Sequence, residues 1–325
     1  MAQIDKPNLH FNTKLYTGNG SVTTQTGVGF QPDMVWIKDR SGTNNHEITD
    51  AVRGANYQIY TNLTNAQTNS SGHLTAFTSD GFSLGTDGSI NTNSSDYASW
   101  NWKANGAGSS NTDGSVTSTV SANQTAGFSI VKYTGAYSTG TVGHGLNATP
   151  KIVLYKNLTD VTYWYFTTTA IDGSNDLLLL PSNDGSTAFS APVPTNSVLN
   201  LIANNDTNGS GDNIIAYCFA EKRGYSRFGS YTGNGNADGP VIYTGFKPAF
   251  VIIKRYNTSG NFWHLYDNKR SSSGGSNVIN FVLYPQNNHA GYVGDKLDFL
   301  SNGIKIRSAN TDMNASGGGY FYMAF

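Results

Sequence analysis

Apolar runs of four residues recur three times along the chain, separated by polar, turn-forming stretches. The runs are Met34-Val35-Trp36-Ile37, Ile152-Val153-Leu154-Tyr155 and Phe250-Val251-Ile252-Ile253. A strand with one face in water alternates apolar and polar residues, so runs this apolar are typical of central strands covered on both faces. The cover comes either from the same chain or from a neighbouring subunit. The pattern therefore predicts three buried strands.

Each run lies inside a longer motif that also occurs three times. The motif begins with Tyr-Thr-Gly, at Tyr16, Tyr133 and Tyr231. It continues to a glycine followed by an apolar residue and then a proline, a residue that lacks an N–H donor and suits the entry to a strand. A lysine stands six residues after each proline, at Lys38, Lys156 and Lys254. Chance does not account for these matches, so we infer one repeated unit.

The later parts of the units also match. Phe77–Leu84 corresponds to Phe299–Ile306, and each segment contains Asp-Gly or Asn-Gly between alternating runs. These dipeptides indicate a β-hairpin with a type I′ turn. Every unit then closes on an aromatic-rich strand, namely Trp100-Asn101-Trp102, Tyr217-Cys218-Phe219 and Met323-Ala324-Phe325. Alternation places the first and third side chains of these strands on one face.

The pattern predicts an all-β protein of three tandem β-sandwich, jelly-roll-like domains that derive from one repeated unit. The predicted domains are residues 1–104, 127–221 and 222–325. Residues 105–126 are rich in Gly, Ser, Thr and Asn without periodicity, which predicts a flexible or extended linker. Residues 221–228 contain aromatic residues and three cations. We expect a packed junction there, so that the second and third domains move together.

Composition narrows the classes of function. Charged residues make up 13 % of the chain and the formal net charge is -1, which gives no electrostatic case for binding nucleic acid or an anionic membrane. Cys218 is the single cysteine, so no intrachain disulfide is expected. The first residues form no apolar signal segment, and no run approaches about 18 apolar residues. We therefore expect synthesis in the cytoplasm without secretion by a signal peptide or insertion into a membrane.

Two sets of polar residues recur in the first and third units. They are His46, Asp50 and Arg53, and His264, Asp267 and Arg270. Acid–base catalysis would need a nucleophile or second carboxylate beside each set, and none recurs. An internal Asp–Arg ion pair that holds a turn is the favoured interpretation. With no His-Glu-x-x-His, Gly-x-Ser-x-Gly or phosphate-binding motif, we expect no enzymatic activity and no catalytic residues.

One loop has oxygen-bearing side chains at every second position. These side chains belong to Asp206, Asn208, Ser210 and Asp212, a spacing that can surround Ca²⁺. The twelfth position is Tyr217 instead of a bidentate glutamate, and an ordinary Asn/Gly/Asp turn is the favoured interpretation. Beyond weak Ca²⁺ binding, no cofactor is expected.

Aromatic residues suggest a second kind of site. Aromatic faces stack on sugar rings, and Trp164, in the cluster Tyr163–Phe166, and Trp263, beside His264, are candidates for contact with a ligand or another subunit. Most other aromatic residues fall inside the repeated strands, where we expect core packing.

The motifs resemble a family of repeats in virion proteins of marine and freshwater tailed phages, notably cyanophages. The resemblance is carried by YTGNG, GVGFQPDMVWIKDR, TSDGFSLG, SSDYASWNWKAN, PKIVLYKN and GFKPAFVIIKR, and it covers nearly the whole chain. It implies a structural or tail-fibre-like protein of the virion, made in the bacterial host, and no common catalytic residues.

The sequence therefore leads to a ranked set of hypotheses. The first is a non-enzymatic structural protein on the virion surface, either a tail-fibre or attachment component or a capsid decoration protein. Its partners would be other virion structural proteins, and self-association, with a trimer plausible for a fibre, is expected. The alternative is a lectin-like receptor-binding protein that recognises host surface polysaccharide. A tailspike-type glycosidase would need paired carboxylates in a groove, and none is identifiable.

Overall fold

The computed structural model describes residues 3–271 and 277–325, and these residues form three successive sets of strands, here called units 1, 2 and 3. A 3-10 helix, Pro7–Leu9, precedes them. Unit 1 comprises β1 (Phe11–Thr17), β2 (Thr23–Thr26), β3 (Met34–Asp39), β4 (Glu47–Asp50), β5 (Tyr57–Tyr60), β6 (Thr68–Asn69), β7 (Leu74–Thr78), β8 (Gly81–Leu84), α1 (Gly88–Asn91) and β9 (Asp96–Trp102).

The other two units follow a similar order of elements, but unit 2 begins with two additional strands, and each of these units has one strand fewer between its apolar strand and its short helix. Unit 2 comprises β10 (Ser109–Asn111), β11 (Ser118–Asn123), β12 (Phe128–Thr134), β13 (Gly140–Gly143), β14 (Ile152–Asn157), β15 (Trp164–Thr168), β16 (Asp176–Leu180), β17 (Thr187–Ala188), β18 (Val198–Leu201), α2 (Asn205–Asn208) and β19 (Asn213–Phe219). Unit 3 comprises β20 (Arg227–Thr232), β21 (Val241–Tyr243), β22 (Phe250–Arg255), β23 (Trp263–Asp267), β24 (Ile279–Val282), β25 (Tyr292–Leu300), β26 (Gly303–Ile306), α3 (Thr311–Asn314) and β27 (Gly319–Ala324).

Each unit is a two-layer sandwich of antiparallel sheets, which confirms the predicted all-β fold. The inner sheets have the strand orders β1-β9-β3-β4-β5-β6, β10-β11-β12-β19-β14-β15-β16-β17 and β20-β27-β22-β23. The outer sheets have the orders β2-β8-β7, β13-β18 and β21-β26-β25-β24. The aromatic-rich strand that closes each unit thus lies inside its inner sheet. β9 lies between β1 and β3, β19 between β12 and β14, and β27 between β20 and β22.

The apolar strands are covered on both faces, as their sequences predict. In β3, Val35 and Ile37 face the outer sheet of unit 1 and pack with Phe82 and Leu84. Met34 and Trp36 point the other way, into a cluster shared by all three units. β14 and β22 divide their side chains between the same two environments, with the alternate residues of each strand in different clusters. The second cover is therefore supplied by the other units of the same chain.

The centre of the molecule is a contact between three equivalent aromatic rings. The carbonyls of Trp102, Phe219 and Phe325 each accept a hydrogen bond from the backbone N–H of the residue after the proline of the repeated motif. The three donors are Asp33, Lys151 and Ala249. Their ring centroids lie 6.3 Å apart for Trp102–Phe219, 5.9 Å for Trp102–Phe325 and 5.8 Å for Phe219–Phe325. A small cavity of about 20 Å³, lined by apolar atoms, remains beside Trp102 and Phe219.

The units form a closed ring around this centre. A backbone N–H from the later half of each unit donates to a carbonyl just after the apolar strand of the next unit. The three bonds are Gln67 N to Leu158 O at 3.1 Å, Ser186 N to Tyr256 O at 2.7 Å, and Gly291 N to Arg40 O at 3.0 Å. Because the third bond returns from unit 3 to unit 1, the ring closes within one chain.

The three Tyr-Thr-Gly segments occupy equivalent positions. Each tyrosine hydroxyl donates to the carbonyl of the third residue of its unit's short helix. The distances are 2.8 Å for Tyr16 to Ile90, 2.5 Å for Tyr133 to Thr207 and 2.7 Å for Tyr231 to Met313. The repeat read from the sequence is thus matched by repeated hydrogen bonding. The descent of the units from one ancestor, and their independence as domains, stay predictions.

Two local expectations need correction. Residues 105–126, predicted to be a linker, contain β10 and β11, and β11 pairs with β12 from Ser118–Tyr133 to Asn123–Phe128. This segment buries Ser118 and Ser121, small residues whose pattern shows no apolar period. The hairpins after Phe77 and Phe299 are present, but their turns lie one residue earlier than predicted, because Thr78 pairs with Gly81 and Leu300 with Gly303.

The glycines of these hairpins serve a close approach between strands. A Cβ on Gly81 would collide with the carbonyl of Gln25, and a Cβ on Gly303 would collide with that of Ile242. The junction at 221–228 is packed, as predicted, since Tyr225 and Phe228 are buried.

Candidate functional site

The Asp50–Arg53 pair of unit 1 is completely buried and bridges two units. Arg53 Nε lies 2.5 Å from Asp50 Oδ2, and Arg53 Nη2 donates to the carbonyl of Ile48 at 3.0 Å. Asp50 Oδ2 also accepts a hydrogen bond of 2.6 Å from the hydroxyl of Tyr217 in unit 2. The carboxylate therefore has its lone pairs occupied and no access to solvent.

The Asp267–Arg270 pair of unit 3 repeats this arrangement. Arg270 Nε lies 2.5 Å from Asp267 Oδ2, and the indole Nε1 of Trp100 in unit 1 donates to the same oxygen at 2.9 Å. The guanidinium lies 5.4 Å from the centroid of the Trp100 ring, within the range of a cation–π contact. The predicted internal ion pairs are confirmed.

Unit 2 has no Asp–Arg pair at this position, and unit 3 has no hydrogen-bond donor facing it. Thr168 stands at the position of Asp50, and its hydroxyl accepts only the backbone N–H of Ala170 at 3.0 Å. The strand register places Met323 of unit 3 where Tyr217 and Trp100 stand in the other units. Methionine has no N–H or O–H to donate. The carboxylate and its donor are thus present together in two junctions and absent together in the third.

The histidines of the two sets are not equivalent, contrary to the sequence pattern. His264 pairs with Ile253 across the strands, and the residue of unit 1 that pairs with the matching Ile37 is Glu47. Each contacts a side chain in the outer region of its own unit. Glu47 Oε2 lies 2.8 Å from His73 Nδ1. His264 Nε2 lies 3.4 Å from Asp295 Oδ2.

The pKa values of the Glu47–His73 contact follow from burial and pairing. Burial raises the pKa of Glu47, and the hydrogen bond and charge of His73 partly oppose this. For His73, burial lowers the pKa, but the bond to Glu47 and the charges of Glu47 and Asp87 outweigh burial, so its pKa is raised. The contact fastens the outer region of unit 1 to its inner sheet.

The three repeated lysines are buried at the junctions between units. Lys156 Nζ donates to the carbonyl of Thr64 in unit 1 at 3.1 Å, and Lys254 Nζ donates to that of Asn183 in unit 2 at 3.1 Å. Lys38 Nζ is satisfied by carbonyls of its own unit. Burial lowers the pKa of each lysine to about 8. The repeated lysines are therefore structural donors to backbone carbonyls.

Asn208, one of the four candidate Ca²⁺ ligands, has a structural place that recurs in every unit. Its Oδ1 accepts from Ala136 N at 2.9 Å, and its Nδ2 donates to the carbonyls of Ser138 and Ile202 at 2.7 and 2.9 Å. Asn91 and Asn314 make the same kinds of contact at the ends of α1 and α3. The Asn208 oxygen thus points at a backbone amide.

The other three candidate ligands turn to different partners. Asp206 Oδ1 accepts from Tyr163 N at 3.1 Å, and Asp212 Oδ2 accepts from Asn157 Nδ2 at 2.8 Å. Ser210 is exposed. Within the described residues, no group of three or more His, Cys, Asp and Glu side chains is arranged to hold a metal ion. Asp206 and Asp212 therefore bond to other segments of unit 2, and the choice between a Ca²⁺ site and an Asn/Gly/Asp turn stays a prediction.

Of the predicted aromatic candidates, Trp164, Trp263 and His264 are buried and offer no surface to a ligand or another subunit, whereas Tyr163, beside Trp164, is 45 % exposed. Trp164, Trp263 and His264 are at most 1 % exposed. Trp164 Nε1 donates to the carbonyl of Tyr60 in unit 1 at 2.9 Å, and Trp263 Nε1 donates to that of Ser182 in unit 2 at 3.1 Å. The contact predicted for these residues is therefore between units of one chain.

Cys218 is also buried, as its alternating strand predicts. Burial raises the pKa of its thiol to about 12, so the reactive thiolate is scarce near neutral pH. In the part of the chain that the structure describes, no helix is long and apolar enough to cross a membrane.

The surface feature that sequence patterns did not reveal is a groove between the start of β20 and the end of β21. Its volume is about 640 Å³, and it is lined by Gln3, Glu221, Arg223, Gly224, Ser226, Arg227, Tyr243, Thr244 and Gly245. Tyr243 is 69 % exposed. Glu221 Oε2 lies 2.8 Å from Lys151 Nζ and 3.5 Å from Arg227 Nη1, and its Oε1 accepts from Phe228 N, so one carboxylate stands among three cations. Arg223 and Arg227 therefore give the groove a positive character.

Comparison with known proteins gives a family but no function. No curated protein and no solved structure matches the chain at significant similarity. A family model extends across all three units in one match. The chain belongs to the family described as "Domain of unknown function (DUF7483)", whose model matches residues 6–325.

Proposed function

We propose that the protein is a non-enzymatic structural component of a tailed-phage particle, exposed on the virion surface as a tail-fibre or attachment component or as a capsid decoration protein. The single observation that supports this proposal is the use of its polar groups. Asp50, Arg53, Asp267 and Arg270 are buried in ion pairs, and two of the four accept hydrogen bonds from other units. These charged side chains therefore hold neighbouring units together.

A closed ring with one shared core suits a mechanical role. Each unit contacts both others, so displacing one unit exposes apolar surface of all three. Burial of apolar surface stabilises by roughly 25 cal/mol per Å², and a ring has no end unit with a single contact. Such a body resists local unfolding better than domains connected in series.

The lectin-like alternative loses the residues on which it depended. Trp164 and Trp263 face neighbouring units, and their indole N–H groups donate to backbone carbonyls. An aromatic ring can stack on a sugar only when its face is accessible. We therefore retain the structural role as the proposed function.

The experiment is immunogold labelling of purified particles of the phage that encodes the chain, with antibodies raised against the purified protein. The account predicts gold at one fixed location on intact particles. Labelling should disappear when the antibody is preabsorbed with the protein, and an antibody to an unrelated protein serves as control. Particles that carry no label, intact or disrupted, while infected cells contain the protein, would contradict the proposal.

A further inference from the structure

The same edge of the molecule has three different states in the three units. This edge consists of β1 and β2 in unit 1, β12 and β13 in unit 2, and β20 and β21 in unit 3. In unit 2 it is covered by the chain itself, because β11 pairs with β12 along its length. Val116, just before β11, forms a parallel bridge with Val142 of β13. Unit 2 thus shows that an extended strand fits against this edge.

In unit 1 the edge is uncovered but protected. Lys14 lies on the edge strand β1, and a lysine at such a position discourages a further strand from pairing. Asn12 Nδ2 donates to the carbonyl of Val28 at 2.8 Å, which ties β1 to the loop after β2. The exposed residues of β2 are Thr24 and Thr26. The exposed side chains of this edge are therefore polar, and Lys14 discourages the addition of another strand.

In unit 3 the edge has no cover among the described residues, and its two strands carry one charged side chain, that of Arg227 at the start of β20. β20 and β21 are terminal strands of their sheets, and among the described residues no strand pairs with their outer edges. The register places Gly229 at the position of Lys14 and Arg227 at that of Asn12. A glycine offers no charge to repel a further strand.

Apolar side chains stand at the same edge of unit 3. Val241 and Tyr243 are 60 % and 69 % exposed. Their partners across the strands, Lys305 and Gly303, match the partners of Thr24 and Thr26 in unit 1. Since threonine satisfies the fold at these two positions, the fold itself does not require the exposed valine and tyrosine.

Charge indicates the chemistry of the missing partner. The groove at the start of β20 contains Arg223 and Arg227, and its single carboxylate, Glu221, is shared between Lys151 and Arg227, so positive charge is in excess. In unit 2, Ala122, near the C-terminal end of β11, pairs with Ser129, the residue equivalent to Arg227. An antiparallel strand laid on β20 in the same way brings its C-terminal end to the two arginines.

We propose that an extended segment of another polypeptide, with acidic residues at its C-terminal end, adds to β20 as a further antiparallel strand and covers Val241 and Tyr243. Main-chain hydrogen bonds supply affinity in such strand addition, and side-chain contacts supply selectivity. The proposal goes beyond the structural role and stands without it. A neighbouring virion protein is the source that the structural role would imply.

The test uses a fluorescein-labelled synthetic peptide with the sequence of residues 115–123, the segment that covers this edge in unit 2, extended at its C-terminus by Asp-Asp. Matched peptides end in Lys-Lys or carry proline at the position of Val120, which removes a backbone donor. Fluorescence anisotropy measures binding to the full chain, and hydrogen exchange locates it. Saturable binding of the Asp-Asp peptide is expected, with slowed exchange in residues 227–232 and weaker binding of both matched peptides.

Variants that copy unit 1 make the test specific. Val241→Thr combined with Tyr243→Thr should weaken binding at least about tenfold, and Arg227→Asn should weaken it for the Asp-Asp peptide alone. Tyr163→Thr, at another exposed tyrosine, should change nothing. All substituted side chains are exposed, and thermal melts verify folding. No binding up to about 1 mM, equal binding to the double variant, or protection elsewhere would overturn the proposal. So would a dimer that the double variant dissociates, because a second copy would then occupy the edge.

Discussion

The hydroxyl of Tyr217 donates a 2.6 Å hydrogen bond to Asp50 Oδ2, and these two residues belong to different units of the ring. The equivalent contact between Trp100 and Asp267 measures 2.9 Å. At the third junction both partners are replaced, by Met323 and Thr168. The carboxylate is therefore retained only where a donor from the next unit is present, as expected when an unpaired buried charge is costly.

Removing one partner of this contact should be far more damaging than removing the whole set. Asp50→Ala leaves the Arg53 guanidinium buried without its carboxylate, and we expect a loss of about 3–5 kcal/mol in the free energy of unfolding. The triple variant Asp50→Thr, Arg53→Ile, Tyr217→Met places at this junction the residue types found at the third junction. Those residues are Thr168, Ile171, which follows Thr168 by three positions as Arg53 follows Asp50, and Met323. The triple variant should recover most of that loss in urea unfolding, since it removes every charged partner together.

A triple variant as unstable as Asp50→Ala would contradict this prediction. Asp50→Ala with Tyr217 intact is compared with Asp238→Ala, which affects an exposed ion pair in which Arg307 and Asp238 lie 3.7 Å apart. Exposed pairs contribute little, about 0–1 kcal/mol, so this control should stay near the wild-type stability.

Asn208 should behave as a structural residue and not as a Ca²⁺ ligand. Asn208→Ala removes three hydrogen bonds at a buried site, and we expect a loss of about 2–4 kcal/mol. Asn91→Ala, which removes the equivalent bonds in unit 1, should cost a similar amount. Unfolding is measured by circular dichroism with and without Ca²⁺.

Stabilisation of the wild type by millimolar Ca²⁺ that disappears in Asn208→Ala but persists in Asn91→Ala would revive the metal hypothesis. Calorimetric titration with Ca²⁺ gives an independent reading, with no heat of binding expected.

The stability should rise with pH between 8 and 9. Burial lowers the pKa of Lys38, Lys156 and Lys254 to about 8 in the folded chain, against about 10.4 for an unfolded lysine. Between these values the unfolded chain binds more protons than the folded chain, so the free energy of unfolding increases with pH. The slope is at most about 1.4 kcal/mol per pH unit for each lysine.

The useful window ends near pH 9 because other groups act in the opposite direction. The pKa of Cys218 is raised to about 12 and that of Tyr217 is raised well above its ordinary value, so their contributions are lost as the unfolded thiol and phenol ionise. Urea midpoints at about pH 8.0, 8.5 and 9.0 measure the slope. Lys156→Met should reduce it, and a stability that falls across this window would refute the lysine assignment.

Sequence reasoning predicted the buried strands and the internal ion pairs correctly because each has a local signature. Pro32, Lys38 and the apolar run of β3 lie within a few residues of one another, and their spacing recurs. The hairpin at Ser79-Asp80 was likewise found, although the glycine after it serves a close approach to Gln25 and not the turn.

The features that the sequence did not predict depend on residues far apart in the chain. Trp164 is buried by Tyr60 of another unit, and a pattern within one unit cannot show which neighbour covers a tryptophan. β11 is rich in Ser and Thr, and its strand is specified by pairing with β12 instead of by apolar alternation. The open edge of β20 became visible only when the covers of all three units were compared.

The central claim is that three units share one core inside a closed ring, and differential scanning calorimetry of the wild type and Trp102→Ala tests it most directly. A single transition is predicted, with a ratio of calorimetric to van't Hoff enthalpy of about 1. Trp102→Ala, which removes about 3–5 kcal/mol of core packing, should lower the midpoint of that whole transition. Separate transitions, of which Trp102→Ala shifts one alone, would contradict the account.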